Sequence, residues 1–236
     1  MINTYSFSRH LQCYRMKNHA SLENFISIDN NLNAKNTAID FAHGKLNKNV
    51  LTISSSLGNG ATHLAFAILS EIENQNKSKD IFYASFEKFL ADYKNKNFQE
   101  LFNEHFFQNH AAILIDSYYE TRNHTKAKEL IDVLKNATTK IIFTCTNGVT
   151  IPIDSNEINL VTPSKIEKEY IIRNILKKEK QEFGPEIINY IASQEKLSVR
   201  EIEAVIISSM ANSFLLKCDI DLELVKESNQ RIFDSN

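Results

Sequence analysis

The chain has 236 residues, 42% of them hydrophobic and 24% charged, with a formal net charge of −2. That is enough apolar material for one α/β domain and a smaller accessory one. So small a charge sets up no overall field toward DNA or an anionic membrane, though a local basic patch stays open. Cys13, Cys145 and Cys218 are far apart and fit neither a disulfide framework nor a zinc pattern, which favours a reducing cytoplasm. His105 and His110 are the closest histidines and do not share a helix face, so no histidine metal site is expected. No apolar run approaches the roughly 18 residues of a membrane span, and the start shows no signal-peptide pattern. A cytoplasmic protein without a membrane partner is the expectation.

Residues 1–20 are polar with scattered aromatics (Tyr5, Phe7, Tyr14) and read as a tail or docking segment. Residues 31–44 read as a helix stopped by Gly44. Val50–Ser54 is a β-branched apolar run, followed by a Ser/Gly turn and then Leu64, Ile68 and Ile72 at helical spacing to about Glu73. This strand–turn–helix sequence is the frame of a phosphate-binding P-loop, which asks for G-x-x-x-x-G-K-[ST]. Gly58, Gly60 and Thr62 are in place, but Ser55 stands where the first glycine should be and Ala61 where the lysine should be. An ordinary glycine-containing βα turn is the plain alternative.

Ile81-Phe82-Tyr83 reads as a second strand, and Phe86, Phe89 and Tyr93 open a helix. Residues 96–108, with Phe98, Leu101, Phe102, His105 and Phe106, read as another. These aromatics are core packing at helical spacing or, alternatively, stacking faces for single-stranded nucleic acid across 82–107. Ala111–Asp116 is a continuous apolar run ending in an acid, as in a parallel strand covered on both faces. Ligands of such sheets bind beyond the carboxyl ends of the strands, where Asp116 emerges; a routine turn aspartate is the alternative.

His124–Ala137 reads as a helix and Lys140–Cys145 as a strand closed by the Asn147-Gly148 turn. Pro152 then leads almost directly into the strand Glu157–Val161. Pro163 marks a boundary, after which Ser164-Lys165-Ile166-Glu167 and Ser198-Val199-Arg200-Glu201 are capping boxes that open helices. Further helices follow Gly184-Pro185 and cover Leu222–Arg231, giving a three- or four-helix lid.

The run Asn49-Val50-Leu51 and the segment Gly58-Asn59-Gly60-Ala61-Thr62-His63-Leu64 resemble the Walker A region of the bacterial replication initiator family DnaA. Leu22-Glu23-Asn24-Phe25 followed by Asn31 resembles that family's box near the adenine pocket. Ile113-Leu114-Ile115-Asp116, Thr144-Cys145-Thr146 and Val199-Arg200-Glu201-Ile202-Glu203 resemble its Walker B, sensor 1 and sensor 2, in order and at family spacing. The resemblance covers about residues 21–227. It implies an α/β P-loop NTPase fold of the AAA+ class: a three-layer αβα sandwich on a parallel sheet (21–162), then a small all-α lid domain (163–236).

The resemblance further implies ADP or ATP with Mg²⁺ as the ligand. Asn31, Gly58, Asn59, Gly60, Thr62, His63 and Arg200 would be the nucleotide residues, with Asp116 on the metal when nucleotide is bound. Sensor 1 stays open among Thr144, Thr146 and Asn147, and Arg200 has a plainer reading as a solvated first-turn residue. Three departures bear on catalysis: Ala61 for the lysine, Ser117 where a second acid prepares the attacking water, and no arginine between Arg122 and Arg173 to act as a finger. An ammonium about 4 Å from a phosphate contributes roughly 4 kcal/mol at an effective dielectric near 20. Losing part of it weakens binding by roughly a hundred- to a thousandfold.

Weak or absent nucleotide binding without turnover is therefore the expectation. The function implied is that of a DnaA- or Hda-like protein in replication initiation or its regulation, working through contact with DnaA or another replication protein. Homo-oligomers are compatible with it. The alternative is an ATP-dependent AAA+ machine, such as a helicase loader, with a substitute cation. No helix-turn-helix domain is legible after the lid, so sequence-specific duplex reading is not expected. Gln12-Cys13-Tyr14 does not match the Q-L-x-L-P-L peptide of Hda, which leaves no grounds for a sliding-clamp contact.

Overall fold

Five strands form one sheet, and helices between them cover its two faces. The structure, a computed structural model, describes residues 20–27, 31–93, 99–100, 104–119 and 125–234. The first unit contains α1 (Leu32–Ala42), β1 (Val50–Ser55), α2 (Ala61–Gln75), β2 (Asp80–Ser85) and α3 (Phe86–Tyr93). It continues with α4 (Glu104–Asn109), β3 (His110–Tyr118), α5 (Thr125–Lys135), β4 (Lys140–Thr146) and β5 (Asn156–Leu160). The strands are all parallel in the order β2-β3-β4-β1-β5, so β1 and its turn sit between two neighbours.

Alternation along β3 shows how the layers form. Ala112 and Leu114 join the cluster of Ala38 and Phe41 from α1 and Leu64, Ile68 and Ile72 from α2. Ile113 and Ile115 join Phe86 and Phe89 from α3 and Leu130 and Leu134 from α5 on the opposite face. Each of the buried Leu, Ile and Phe side chains contributes about 1.5–3 kcal/mol by leaving water. Both faces of β3 are covered, which is why it reads as an unbroken apolar run, whereas the edge strands β2 and β5 alternate in burial.

Phe82, Phe86, Phe89, Tyr93 and Phe107 are all buried in the second of these clusters. They are core, and a base-stacking surface built on them is thereby corrected: buried rings offer a nucleic acid no face. Phe98, Leu101 and Phe102, the tail with Gln12, Cys13 and Tyr14, and Arg122 lie outside the described residues, as does the side chain of His105.

The second unit has its own core. Its helices are α6 (Lys165–Glu179), α7 (Pro185–Ser193), α8 (Val199–Leu216) and α9 (Leu222–Asp234). Ile172 and Leu176, Ile187 and Ile191, Ile202, Val205 and Ile206, and Val225 meet in one cluster. Both expected capping boxes form, Ser164 with Glu167 and Ser198 with Glu201, each satisfying two backbone donors at a helix start. Lys180 and Lys217 close α6 and α8 in the left-handed conformation. The described residues 26–27, 31–32 and 57–60 cluster with this unit rather than with the sheet.

Candidate functional site

In the sheet unit, β1 delivers Ser55 and α2 starts at Ala61, with Thr62 in its first turn. Asp116 comes off the carboxyl end of β3 and is 8% exposed. One of its oxygens accepts from two hydroxyls: Thr62 Oγ1 at 2.9 Å and Thr144 Oγ1 of β4 at 2.5 Å. Thr144 Oγ1 in turn accepts from the Ser117 backbone N–H at 2.8 Å. Of the three sensor 1 candidates, then, Thr144 is the one that reaches Asp116. Thr146 is exposed, and Asn147 binds back to the loop, its N–H to Ser55 O at 3.1 Å and its Nδ2 to Ser56 Oγ at 3.2 Å.

The β3–β4 register shows why Thr144 can do this. Ile115 pairs with Phe143 and Tyr118 with Cys145, so Asp116 and Ser117 together oppose Thr144 alone. This is a β-bulge, and Ser117 takes φ 60 within it. The bulge turns the exposed Ser117 outward while Asp116 stays inside. Nothing in the dipeptide Asp116-Ser117 announces a bulge.

In the helical unit, the loop tip rests on the start of α8. Gly58 has φ +81, and a Cβ there would lie 2.7 Å from Ser198 Oγ and 3.2 Å from Arg200 Cβ. Its carbonyl accepts the Arg200 N–H at 3.2 Å. A glycine is needed here twice over, for the backbone angle and for the space. Ser198 is itself fixed: it accepts the Glu201 N–H while Glu201 Oε2 accepts the Ser198 N–H at 2.7 Å.

Beneath this turn lies Lys168, which the sequence reading missed. Only 2% exposed, it donates from Nζ to Gln194 O at 2.7 Å and Glu195 O at 3.2 Å, pinning the α7–α8 connection. Burial pulls its ammonium below the ordinary lysine value, against the opposing pull of Glu195 and Glu201. The signal was present: Lys168 stands at four-residue spacing on the stripe of Ile172 and Leu176.

The remaining candidates divide. Asn59 Nδ2 donates to Thr162 Oγ1 at 3.2 Å, and its buried Oδ1 has no partner among the described residues. Whichever way that amide is turned, one polar atom is left over, and a water or ligand atom is the ordinary partner of such a group. Asn31 uses both ends of its amide on Val161, accepting its N–H at 3.1 Å and donating to its carbonyl at 3.2 Å. It splices two chain segments rather than pointing into open space. His63 stacks on Phe25, with ring centroids 6.3 Å apart. Gly60 has φ +96 at the turn into α2. Thr62 and Asp116 are thus brought together, as are Gly58 and Arg200, while Asn31 and His63 have structural partners.

A hydroxyl and a carboxylate sharing a hydrogen bond are the oxygen donors a Mg²⁺ shell uses, so Thr62 and Asp116 fit that ion chemically. Among the described residues no group of three or more His, Cys, Asp or Glu could hold a metal by itself. No helix of the described residues is long and apolar enough to cross a membrane.

The strand order and the β1–turn–α2 unit define the AAA+ class of P-loop proteins. Within that class residues 16–150 match the family model of the bacterial DnaA ATPase domain, and the chain belongs to this family. It is similar to the chromosomal replication initiator DnaA of Flavobacterium psychrophilum, 29% identical over 231 residues, covering 88% of this chain and 47% of that protein. DnaA of Bacteroides thetaiotaomicron is 28% identical over 228 residues, with 87% and 48% covered. The chain therefore spans about half the length of these relatives.

Among solved structures, domain III of Thermotoga maritima DnaA superposes with a TM-score of 0.76 at 21% identity, covering 89% of this chain and 95% of that one. AMPPCP-bound DnaA from Aquifex aeolicus gives 0.67 at 20%, covering 83% and 66%. A Thermotoga maritima RuvB gives 0.67 at 15%, covering 89% and 71%. These share the fold.

Proposed function

We propose that this member of the DnaA family works in replication initiation or its control as a binding module, without turning over ATP. The observation that carries the reading is Ala61 at the first position of α2, where the family's lysine ammonium would meet the outer phosphates. A methyl group there supplies none of the roughly 4 kcal/mol of attraction expected of that ammonium. Ser117 cannot act as the base that a second acid provides, which removes a further contribution of about a hundredfold or more in rate.

What persists suits weak retention of an adenine nucleotide. In the sheet unit the N-terminus of α2 offers backbone N–H groups, and in the helical unit the Gly58 carbonyl accepts the Arg200 N–H at the start of α8. Thr62 and Asp116 would hold Mg²⁺, whose contribution is to neutralise phosphate charge. Replication proteins, DnaA itself among them, are the partners this reading favours.

Titration calorimetry with Mg·ATP and a phosphate-release assay test it on the wild-type chain and on Ala61→Lys. The wild type is expected to bind no tighter than the high-micromolar range and to release no phosphate. The lysine variant should bind roughly a hundred- to a thousandfold tighter. Turnover by the wild type overturns the reading and points to a substitute cation. No gain in the variant means that the cradle does not admit a triphosphate.

A further inference from the structure

The inward stripe of α8, formed by Ile202, Val205, Ile206 and Ser209, is fully buried. At about 100° per residue, Ala204, Ile207, Ala211, Phe214 and Leu215 fall on the opposite side. That outward face should be polar, yet no residue from Ala204 to Leu216 carries a charge. Ile207 is 43% exposed, Phe214 83%, Leu215 74% and Leu216 66%. The helix is apolar on two faces, and the helical unit covers one of them.

We propose that the outward face of α8 is a self-association surface, on which two copies of this chain pack α8 against α8, antiparallel, about a two-fold axis near Met210 and Ala211. Charge at the ends of the stripe selects this occupant. Glu203 precedes the stripe and Lys217 follows it, equidistant from Met210 and about 21 Å apart along the helix. An antiparallel pair sets Glu203 of each copy beside Lys217 of the other, whereas a parallel pair sets like charges together.

Side-chain size agrees with the same register. Ala211 falls at the crossing, where a small residue lets the helix backbones approach. Phe214 of each copy meets Ile207 of the other, and Leu215 lies over Ala204. Such an interface is isologous and closes on itself, so it yields a dimer and not a filament. An anionic lipid surface fits less well, because Glu203, Asp219 and Asp221 at the ends of the stripe outnumber Arg200 and Lys217. One helix face per copy falls at or below the roughly 1,200 Å² of the smallest stable interfaces, so a micromolar dimer is expected. The inference does not depend on the nucleotide site.

Sedimentation velocity on the full chain from about 1 to 200 μM should show a reversible monomer–dimer equilibrium with a micromolar dissociation constant. Phe214→Glu, at an exposed position where folding is not at stake, should weaken the dimer about 30-fold or more. Glu203→Lys and Lys217→Glu should each weaken it, and the double variant should restore it. With Cys13 and Cys218 replaced by serine, Ala211→Cys should form an interchain disulfide on mild oxidation, since the two copies of residue 211 meet at the axis. A chain that stays monomeric throughout overturns the proposal, as do a dimer indifferent to Phe214→Glu, growth beyond the dimer, and failure of the double charge swap to restore association. Phosphatidylglycerol vesicles that capture a monomeric chain through the same residues overturn it too.

Discussion

Asp116 is where single side chains matter most. Its buried carboxylate accepts two hydroxyls on one oxygen, and the Thr144 hydroxyl also serves the Ser117 N–H. Thr144→Val keeps the shape but strands the Ser117 N–H and leaves Asp116 with Thr62 alone, so a loss of about 1–3 kcal/mol in urea unfolding is expected. Thr62→Val, at a half-exposed position where water can replace the hydroxyl, should cost distinctly less. Lys168 gives a pH dependence. Burial lowers its folded value below the ordinary 10.5, so the unfolded chain holds that proton to higher pH than the native one. Stability contributed by this site therefore rises with pH in the interval just below 10.5, and denaturation midpoints for Lys168→Met should lack that part of the rise. Neither residue's partners were readable in advance: Thr144 was one of three candidates, and the carbonyls that Lys168 binds are set by tertiary packing.

At the scale of elements, what could be read from sequence was whatever local physics decides. The capping boxes at Ser164 and Ser198 form as their spacing requires, and the continuous apolar runs 111–116 and 140–145 become strands buried on both faces. The bulge at Asp116-Ser117 and the Asn31–Val161 splice were not readable, since each depends on a strand brought alongside from far away in the chain. The start of α8 deserves a direct test, because one serine there does two things. Ser198→Ala removes the cap at a cost of about 1 kcal/mol and opens space beside Gly58. Gly58→Ala meets both a positive φ and the Ser198 hydroxyl, so it should destabilise by about 1–3 kcal/mol. The combination Gly58→Ala with Ser198→Ala should recover part of that loss, because the steric share of the penalty goes while the backbone share stays. Thermal or urea unfolding of the three variants gives the partition.

For the molecule as a whole, the parallel sheet in the order β2-β3-β4-β1-β5 and the family match on residues 16–150 carry the assignment to DnaA-type AAA+ domains. The pattern of apolar runs and turns was sufficient for that fold, while activity turns on a few side chains hung upon it. The kink in β3 bears on how fixed the present state is. Residue 117 already adopts a backbone angle that aspartate tolerates better than most residues, and its side chain points to water. Ser117→Asp should therefore leave the unfolding midpoint within about 0.5 kcal/mol of the starting chain. The distance to an acid at this strand end is short: one replacement places it there, with no loop to rebuild and no strand to shift.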